Sequence, residues 1–518
     1  MKVITAREAA KLIPDGCVLA SDGFLGIMVA EEIYTEIDKR IQEEGAPKGL
    51  TLFHISGQGD SSTSFGLNHF SADGVVKRII GGHWNIIPDL RDKISANKIE
   101  GFNFPQGTIS HMIRDIAAKR PGTITRVGLK TFVDPRVEGG KANDLTKASP
   151  DQLVELIQID GQEYLRYKPL HLDYGILRGT YADEKGNISF EKEAATLNAT
   201  SLAQAVHNCG GKVIVQVERL AQAGSLDPKL VKIPGIYVDY VVIAQPQYSK
   251  QTPAEDFNPS YTGHLRVPMN AWEPMPMSTR KIIARRAAME LVPHAVLNLG
   301  IGMPEGVASI AAEEGLSEHL NLTVEAGPVG GIPAGGSSFG ASSNPDAILD
   351  EGYQFDFYDG GGIDVAFLGL AQADRSGNIN VSKFGPRVAG CGGFINITQN
   401  SKKVVFCGTF TAGGAKISVV NGKLVIEQEG NLRKFVEKVD QITFSGEYAQ
   451  SINQPVLYIT ERAVFQLRPE GLTLTEIAPG VELQRDILDL MEFKPLVATD
   501  LKEMDSRIFR DEKMRLTL

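Results

Sequence analysis

The pattern of apolar and polar residues predicts the same order of elements at the start of each half of the chain. In the first half, Thr5 and Glu8 have the spacing of a capping box, so a helix is expected over residues 6–13. The apolar run at residues 17–20 predicts a short strand, and the amphipathic pattern over residues 29–44 predicts a longer helix. The order is therefore helix, strand, turn, helix.

The second half repeats this order and adds a strand that ends on a charged residue. Residues 296–299 predict a strand, and the glycines of residues 300–302 predict a turn before a helix whose first residue is Pro304. The next predicted strand, 320–324, runs directly into Glu325. Alternating strands and helices predict an open, largely parallel sheet, and ligands bind such sheets outside the carboxyl ends of the strands. Glu325 lies at such an end.

The two halves also share sequence, which indicates an internal duplication. Residues 173–192 match residues 364–383 at eight of twenty positions when the second half is shifted by 191 residues. Unrelated segments of ordinary composition match at roughly one position in twenty. The same shift aligns residues 212–215 with residues 403–406, so the register continues through the next predicted strand.

A proline-rich segment separates the two halves. Six prolines occur in residues 246–276, and they interrupt every regular pattern. The sequence therefore predicts an N-terminal domain over residues 1–245, a linker over 246–280, and a C-terminal domain over 281–518 that carries Glu325. The expected fold class is α/β, with two similar open, mostly parallel-sheet domains and the active site between them.

Charge and hydropathy exclude two classes of partner. The net charge is -10 with 22% charged residues, which is unsuited to a surface that neutralises many nucleic-acid phosphates. Charged residues occur at the start of the chain before any apolar run, so no secretory signal is expected, and no run of eighteen apolar residues predicts a membrane span. We therefore expect neither nucleic acid nor a membrane as partner.

The cysteines and histidines are scattered along the chain. The four cysteines form no CxxC pair, and the nine histidines form neither an HExxH motif nor a close pair. Neither a disulfide framework nor a metal site is expected, and the cysteine usage fits a reducing cytoplasm.

One motif suggests a serine hydrolase. Residues 336–340 satisfy the G-x-S-x-G pattern, with Ser338 as the candidate nucleophile. A nucleophile elbow requires a strand directly before the motif and a helix directly after it, whereas Pro333 precedes and Pro345 follows in glycine- and serine-rich sequence. These surroundings favour a loop over a catalytic elbow.

Two further features have both a structural and a functional interpretation. Residues 300–305 begin like a dinucleotide-binding turn but lack its third glycine, so they form either a plain turn or an anion site at a helix start. Gln106 lies at a predicted helix start, where it either bonds a turn or presents its side-chain amide to a ligand.

Glu325 is the strongest single candidate for chemistry. It is the only ionisable group in residues 320–331, where an apolar strand ends in a run of glycines that lets a ligand approach. A carboxylate attacks ordinary esters and amides poorly, but a thioester carbonyl is activated and its thiolate leaves well. One carboxylate replaces another, so no general base is required. Glycine amides or a side-chain amide such as that of Gln106 would stabilise the oxyanion.

Five motifs, taken together and in this order, resemble family I coenzyme A transferases with fused subunits, specifically the propionate or acetate CoA-transferases. The resemblance covers nearly the whole chain and rests on Asn103-Phe104-Pro105-Gln106-Gly107-Thr108, Ala182-Asp183-Glu184-Lys185-Gly186-Asn187, Val324-Glu325-Ala326-Gly327, Gly390-Cys391-Gly392-Gly393 and Gly471-Leu472-Thr473-Leu474-Thr475-Glu476-Ile477. It implies the fold shared by NagB, RpiA and CoA-transferases. Residues 22–26, Asp-Gly-Phe-Leu-Gly, depart from the Gly-Gly-Phe-Gly turn of many relatives, which affects the expected acyl pocket and not Glu325.

The resemblance assigns roles to several residues. It implies that Glu325 attacks an acyl-CoA and passes through a mixed anhydride to a glutamyl-CoA thioester, from which a second carboxylic acid takes the CoA. It implies an oxyanion site formed by the Gln106 side chain and the backbone amide of Gly393. The implied CoA-binding residues are Gly300, Ile301, Gly302, Met303, Pro304 and Gly392. CoA and acyl-CoA are then substrates, with no tightly bound cofactor and no metal.

The expected reaction is CoA transfer between short-chain acyl-CoA and carboxylic acids, namely propionate or acetate, with lactate and butyrate as further candidates. The resemblance also implies a homo-oligomer, either a dimer or a tetramer. Two alternatives stay open. One is an acyl-CoA thioester hydrolase on the same fold, in which water replaces the acceptor acid, and the other is a non-catalytic CoA-binding protein.

Overall fold

The computed structural model describes residues 1–268 and 274–518, and residues 269–273 of the predicted linker lie outside the described residues. The chain divides into two compact units, each built from three segments. The first unit contains Met1–Val267, Val324–Asp356 and Lys383–Asn396. The second unit contains Pro268–Thr323, Phe357–Ser382 and Ile397–Leu518. Glu325 therefore lies in the first unit, although it comes from the second half of the sequence.

The first unit is organised around a sheet of eight parallel strands. Their spatial order is Lys2–Ile4, Tyr240–Ile243, Lys212–Val217, Tyr174–Arg178, Val18–Ser21, Leu50–His54, Val76–Gly81 and Glu100–Asn103. The helices of this unit are Ala6–Leu12, Glu31–Glu44, Pro88–Ser95, Gln106–Ala117, Asp144–Ala148 and Ala199–Asn208. Alternation of these strands and helices confirms the predicted α/β class.

The capping and packing of the first helices explain why they form where the sequence predicts. Thr5 Oγ1 accepts a hydrogen bond from the Glu8 backbone amide (3.1 Å), and the Glu8 carboxylate accepts one from the Thr5 amide (2.8 Å). This is a complete capping box, and it satisfies two amides that the helix itself leaves unpaired. In the helix Glu31–Glu44, Ile33 and Ile37 are fully buried one turn apart, so the predicted apolar face packs into the core.

The remaining strands of the first unit lie outside the eight-stranded sheet, and most of them form smaller sheets and ribbons. They are Thr123–Thr125, Val154–Ile159, Gln162–Tyr167, Tyr181–Asp183, Ile188–Ser189, Arg219–Ala221, Val231–Ile233, Pro328–Val329, Ile332–Pro333, Ser342–Ser343, Ala347–Ile348, Lys383–Phe384 and Arg387–Val388.

Eight strands of the second unit are hydrogen-bonded to one another in a mixed arrangement. Their order is Asn321–Thr323, Val296–Leu299, Val365–Gly369, Lys403–Cys407, Val456–Ile459, Ala463–Arg468, Gly471–Ile477 and Leu496–Glu503. The first five run parallel, the next two pairings are antiparallel, and the last pairing is parallel. Its helices are Thr279–Ala288, Gly306–Glu314, Gly446–Ser451 and Leu483–Asp486.

Two further α-helices and seven further strands complete the α-helices and strands of the described residues. The helices are Glu351–Asp359 and Phe394–Asn400. The strands are Gln372–Asp374, Ile379–Asn380, Thr411–Ala412, Lys416–Val420, Lys423–Gln428, Leu432–Arg433 and Phe435–Val436. Among the described residues, no helix is both long enough and apolar enough to span a membrane.

The predicted duplication is visible in matching hydrogen bonds within each unit. Asp183 Oδ1 accepts from the backbone amides of Lys185 and Asn187, both at 2.9 Å. At the shift of 191 residues, Asp374 Oδ1 accepts from the amides of Ser376 (3.0 Å) and Asn378 (3.1 Å). The same Asp-x-x-Gly-Asn loop therefore follows the same strand in both units.

The proline-rich segment contributes structure to the first unit as far as Val267. Arg178 donates hydrogen bonds to the backbone oxygens of Ser249 (3.0 Å) and Lys250 (2.6 Å), and Thr252 is fully buried. These hydrogen bonds to a buried arginine hold this part of the chain in the first unit. Residues 246–267 are therefore not a free spacer.

Candidate functional site

Glu325 lies in a tight turn that follows the strand Asn321–Thr323. The Val324 amide donates to the Pro328 oxygen (3.0 Å), and the Gly327 amide donates to the Val324 oxygen (3.0 Å). Gly327 has a φ of 122°, and a Cβ at this position would overlap the carbonyl oxygen of Leu349. Glycine is therefore required at this position of the turn. The Glu325 side chain is half-buried in the turn.

Gln106 is the first residue of the helix Gln106–Ala117, directly after the strand Glu100–Asn103. Its side chain is buried, and its Nε2 donates to Oε1 of Glu351 at 2.5 Å. Its backbone amide donates to the Gly392 oxygen at 2.9 Å. The helix start is thereby joined to two segments of the second half of the sequence, both of which belong to the first unit.

The glycine turn at residues 390–393 is held in place by Asn103. The Asn103 Nδ2 donates to the oxygens of Gly81 (2.8 Å) and Gly82 (2.7 Å), while its Oδ1 accepts from the Cys391 amide (3.0 Å). The Gly392 amide donates to the Gly82 oxygen at 2.8 Å. Asn103 thus joins the end of one strand to this turn.

Gly392 and Gly393 lie beside Gln106. A Cβ built on Gly392 would lie 3.8 Å from Gln106 Oε1, which is ordinary contact distance. Gly393 is the next residue and is buried. The structure therefore brings the predicted Gln106, Gly392 and Gly393 together.

Three further residues complete a buried hydrogen-bonded chain that the sequence does not reveal. Glu351 is 1% exposed and accepts at Oε2 from the Asn198 side-chain amide (2.6 Å) as well as at Oε1 from Gln106. The Asn198 backbone amide donates to Asp22 Oδ2 at 2.8 Å, and the Gly23 amide donates to Asp22 Oδ1 at 3.0 Å. A glutamate at a helix start is unremarkable in sequence, and only the fold brings Glu351 to Gln106.

Burial controls the protonation of these carboxyl groups. Desolvation raises the pKa of Glu351 well above its usual range, and the charges of Asp22 and Glu325 raise it further, against the hydrogen bonds from Gln106 and Asn198. Desolvation also raises the pKa of Asp22 to about 7. Because Glu325 acts electrostatically on Glu351, the two carboxyl groups are neighbours. Burial thus favours the neutral forms of Glu351 and Asp22.

The predicted CoA-binding turn, residues 300–304, lies in the second unit. The Gly300 amide donates to the Phe367 oxygen (2.8 Å), and Gly302 has a φ of 87°. Met303–Glu305 form one turn of 3₁₀ helix before the α-helix Gly306–Glu314, so Pro304 lies in the turn that leads into this helix. Ile301 is 57% exposed, and the turn is open to solvent.

Ser338 does not lie on a nucleophile elbow. It belongs to a single turn of 3₁₀ helix, Gly336–Ser338, instead of following a strand. Its buried hydroxyl bonds to Glu255 Oε2 and Thr252 Oγ1, both at 2.9 Å. A hydroxyl held by a glutamate and a threonine lacks the imidazole that activates a serine nucleophile. The sequence-based preference for a loop is confirmed.

Within residues 1–268 and 274–518, no group of three or more histidine, cysteine, aspartate or glutamate side chains is arranged to hold a metal ion. The four cysteines are free thiols. Cys17, Cys391 and Cys407 are buried, and Cys209 is partly exposed.

Comparison with known proteins identifies close relatives. Residues 3–244 match the family model described as coenzyme A transferase. The chain is 48% identical to caffeate CoA-transferase of Acetobacterium woodii, over 99% of this chain and 98% of that protein. It is 43% identical to acetate CoA-transferase YdiF of Escherichia coli O157:H7, over 100% of this chain and 96% of that protein.

The solved structures of acyl-CoA transferase YdiF from Escherichia coli O157:H7 have the same fold. The apoenzyme superposes with a TM-score of 0.94 at 42% identity, covering 100% of this chain and 98% of that one. A second structure is a thioester complex with CoA, and it superposes with a TM-score of 0.93 at the same identity and coverage.

Proposed function

This chain belongs to the coenzyme A transferase family, and from that premise we propose that it moves CoA between short-chain acyl-CoA and carboxylic acids through a glutamyl-CoA thioester on Glu325. The observation that carries the proposal is the position of Glu325, a half-buried carboxylate on a glycine turn in the same unit as Gln106 and Gly393. Glu325 also acts electrostatically on Glu351, the carboxyl group that accepts a hydrogen bond from Gln106. The thioester complex of the relative YdiF with CoA supports a covalent route.

The first half of the reaction transfers CoA to the enzyme. A carboxylate oxygen of Glu325 attacks the thioester carbonyl carbon, and the C–S bond breaks to release the CoA thiolate and leave an acyl-glutamyl anhydride. The thiolate then attacks the glutamyl carbonyl carbon. The acyl group leaves as a free carboxylate, and the enzyme carries CoA as a thioester.

The second half runs the same steps in reverse with the acceptor acid. The acceptor carboxylate attacks the glutamyl thioester and forms a new anhydride, and the released thiolate then attacks the acceptor acyl carbon. The products are the new acyl-CoA and the free carboxylate of Glu325. Each step exchanges one anion for another, so no proton has to move.

We propose that Gln106 and Gly393 stabilise the tetrahedral oxyanion. The Gln106 Nε2 has two N–H bonds and uses one for Glu351, which leaves the second for a substrate oxygen. The Gly393 amide lies on the turn that Asn103 and Gly82 hold beside Gln106. Donors that are fixed before the reaction stabilise a developing charge without a reorganisation cost.

We propose that residues 300–304, together with Gly392, contact the CoA portion of the substrate. The turn precedes the nine-residue helix Gly306–Glu314, whose first amides favour an anion. Arg280 holds the turn in place, since its Nη2 donates to the Gly302 oxygen at 2.7 Å and to Glu305 Oε2 at 2.9 Å. Contacts far from the reacting carbonyl can supply binding energy that orients it.

The acceptor acid is proposed to be acetate or propionate, with lactate and butyrate as further candidates. The 43% identity to an acetate CoA-transferase favours a small acid. The 48% identity to a caffeate CoA-transferase favours caffeate as a second candidate. Initial rates with propionyl-CoA as the donor for acetate, and with acetyl-CoA as the donor for the other four acids, would rank the five acids by kcat/KM.

The decisive experiment maps the covalent intermediate. The protein is mixed with acetyl-CoA without an acceptor acid, digested, and analysed by peptide mass spectrometry. We expect a CoA-sized adduct on the peptide that contains Glu325, absent from Glu325→Gln and present in Glu31→Gln, which changes a buried glutamate elsewhere in the first unit. An adduct on another residue, or none in an active sample, contradicts the mechanism.

The same preparation separates the alternatives. CoA release from acetyl-CoA is measured with and without an acceptor acid. Release at the full rate without an acceptor supports a thioester hydrolase. A Glu325→Gln variant that binds CoA and keeps every measurable function supports a non-catalytic CoA-binding protein.

A further inference from the structure

Glu351 holds the side chain of Gln106 in one orientation. A glutamine side chain has three rotatable bonds, and at a helix start several of their combinations are open to it. The 2.5 Å hydrogen bond from Gln106 Nε2 to Glu351 Oε1 selects one of them. It also determines which end of the amide carries the donors, because a carboxyl oxygen at that position accepts a hydrogen bond.

Glu351 is itself fixed by its surroundings. It is the first residue of the helix Glu351–Asp359, and its backbone amide donates to the Leu197 oxygen at 2.8 Å. Its second oxygen accepts from Asn198, which is anchored in turn by Asp22. Hydrogen bonds at both ends of the carboxyl group leave it little freedom, so it can act as a rigid support.

The charges around Glu351 favour a neutral carboxyl group. Asp22 and Glu325 are its acidic neighbours, and within the part of the chain that the structure describes no cation hydrogen-bonds to it. Lys232 lies nearby but pairs with Asp350 at 3.7 Å. A neutral carboxyl group still accepts from Gln106 through its carbonyl oxygen, and it adds no negative charge beside a developing oxyanion.

We propose that Glu351 is the positioning residue that aims the Gln106 amide at the reacting thioester carbonyl. This inference rests on the proposed roles of Glu325 and Gln106. Glu351 does not touch the substrate in this scheme, and its effect passes entirely through Gln106. Its loss is therefore expected to lower kcat and to leave KM for acyl-CoA nearly unchanged.

The test is a double-mutant cycle with Gln106. Glu351→Ala alone is expected to lower kcat by about 10- to 100-fold, somewhat less than the loss of an oxyanion donor itself. In a Gln106→Ala background, the same change is expected to lower kcat by no more than about threefold. Glu351→Met serves in the same cycle if the alanine variant does not fold, because methionine keeps the volume and removes the acceptor.

Two further variants separate positioning from stability. Glu351→Gln keeps a carbonyl acceptor for Gln106, and Asn198 can rotate its amide to match, so kcat is expected within about fivefold of the wild type. Glu31→Ala truncates another buried glutamate of the first unit, one that pairs with His69 at 2.8 Å. It is expected to lower the melting temperature and to keep kcat.

The inference is overturned by any of three results: Glu351→Ala with full kcat, an undiminished additional loss in the Gln106→Ala background, or a Glu351→Gln variant as impaired as Glu351→Ala. The adduct experiment on the wild-type protein keeps the two proposals apart. A missing Glu325 adduct contradicts the proposed function, whereas a normal adduct with an additive cycle contradicts only the role of Glu351.

Discussion

Three carboxyl groups of the first unit differ in their surroundings, and each surrounding suits a different task. Glu325 is half-buried, so a thioester carbonyl can reach it. Glu351 and Asp22 are 1% and 2% exposed and are bonded to amides. Water stabilises ionised carboxylates far better than a protein interior does, so burial favours the neutral forms of Glu351 and Asp22, whereas the more accessible Glu325 is the carboxyl group that we propose as the nucleophile.

Removal of the Gln106 amide tests the oxyanion site. Gln106→Ala is expected to lower kcat by about 10²- to 10³-fold, because one pre-aligned donor is lost, and to change KM for acyl-CoA by no more than about twofold. Steady-state kinetics with acetyl-CoA and an acceptor acid measure both constants. Gln204→Ala is the matched control, because the one hydrogen bond of that side chain among the described residues is to the Tyr237 hydroxyl at 3.2 Å, and kcat should not change. A Gln106 variant with normal kcat contradicts the assignment.

The titration of Asp22 predicts a pH-dependent stability. Burial raises its pKa from 3.8 to about 7, so between these values the folded protein binds a proton that the unfolded chain has lost. Stability therefore falls as pH rises from about 4 to about 7 and levels off above, with a total near 4 kcal/mol on the conversion of about 1.4 kcal/mol per unit. In Asp22→Asn this contribution is absent. Melting temperatures of both proteins are measured from pH 4.5 to 8. The melting temperature of the wild type should fall relative to that of the variant as pH rises, and parallel curves contradict the raised pKa of Asp22.

At the scale of elements, backbone geometry positions Glu325, the proposed nucleophile. The turn after the strand Asn321–Thr323 closes through the Val324 and Gly327 hydrogen bonds, and Gly327 has no room for a side chain next to Leu349. The helix Gln106–Ala117 is placed in the same way, with its first residue bonded to Gly392. A displacement of about 1 Å at either element is enough to cost about 10²-fold in rate.

Gly327→Ala tests whether this turn positions Glu325, the proposed nucleophile. The new Cβ clashes with the Leu349 oxygen at a φ of 122°, so the turn must shift and carry Glu325 with it. We expect kcat to fall by about 10²-fold. Gly336→Ala is the matched control, because Gly336 also has a positive φ of 60° but its Cβ would meet nothing within 4 Å. That variant should lose about 1 kcal/mol of stability through backbone strain and keep kcat. Equal kinetics in the two variants contradict the role of the turn.

Local signals in the sequence predict elements well and contacts between distant segments poorly. The capping box at Thr5 and the strand Val296–Leu299 are predicted within a residue, because both depend on neighbours in the chain. Glu325 is conspicuous because it interrupts an apolar and glycine-rich run. Glu351 and Asn198 are not predicted, since their role depends on a contact across 153 residues. The functions of Gln106 and Gly393 come from the family resemblance and stay predictions.

At the scale of the molecule, the first unit draws on both halves of the sequence. The segments Val324–Asp356 and Lys383–Asn396 belong to it, although they follow the proline-rich region. Asp22, Asn198 and Gln106 precede that region, and Glu351 follows it, yet they form one hydrogen-bonded chain. Neither half of the sequence therefore contains a complete candidate site. The predicted dimer or tetramer is a separate question, which light scattering of the purified protein answers.

Dividing the chain tests whether the site needs both halves. Fragments 1–268 and 274–518 are expressed separately and together. Alone, the first fragment lacks two segments of its unit, including the hydrogen-bond partner of Gln106, and the second lacks Gln106 and Asn198. We expect each fragment alone to show less than about 1% of the CoA-transferase activity, because the first fragment lacks the proposed nucleophile Glu325, and loss of the proposed oxyanion donor Gln106 from the second costs about 10²-fold. Co-expressed fragments should copurify and recover activity, and Glu325→Gln in the second fragment should abolish it. A single fragment with substantial, Glu325-dependent turnover would contradict a site assembled from both halves.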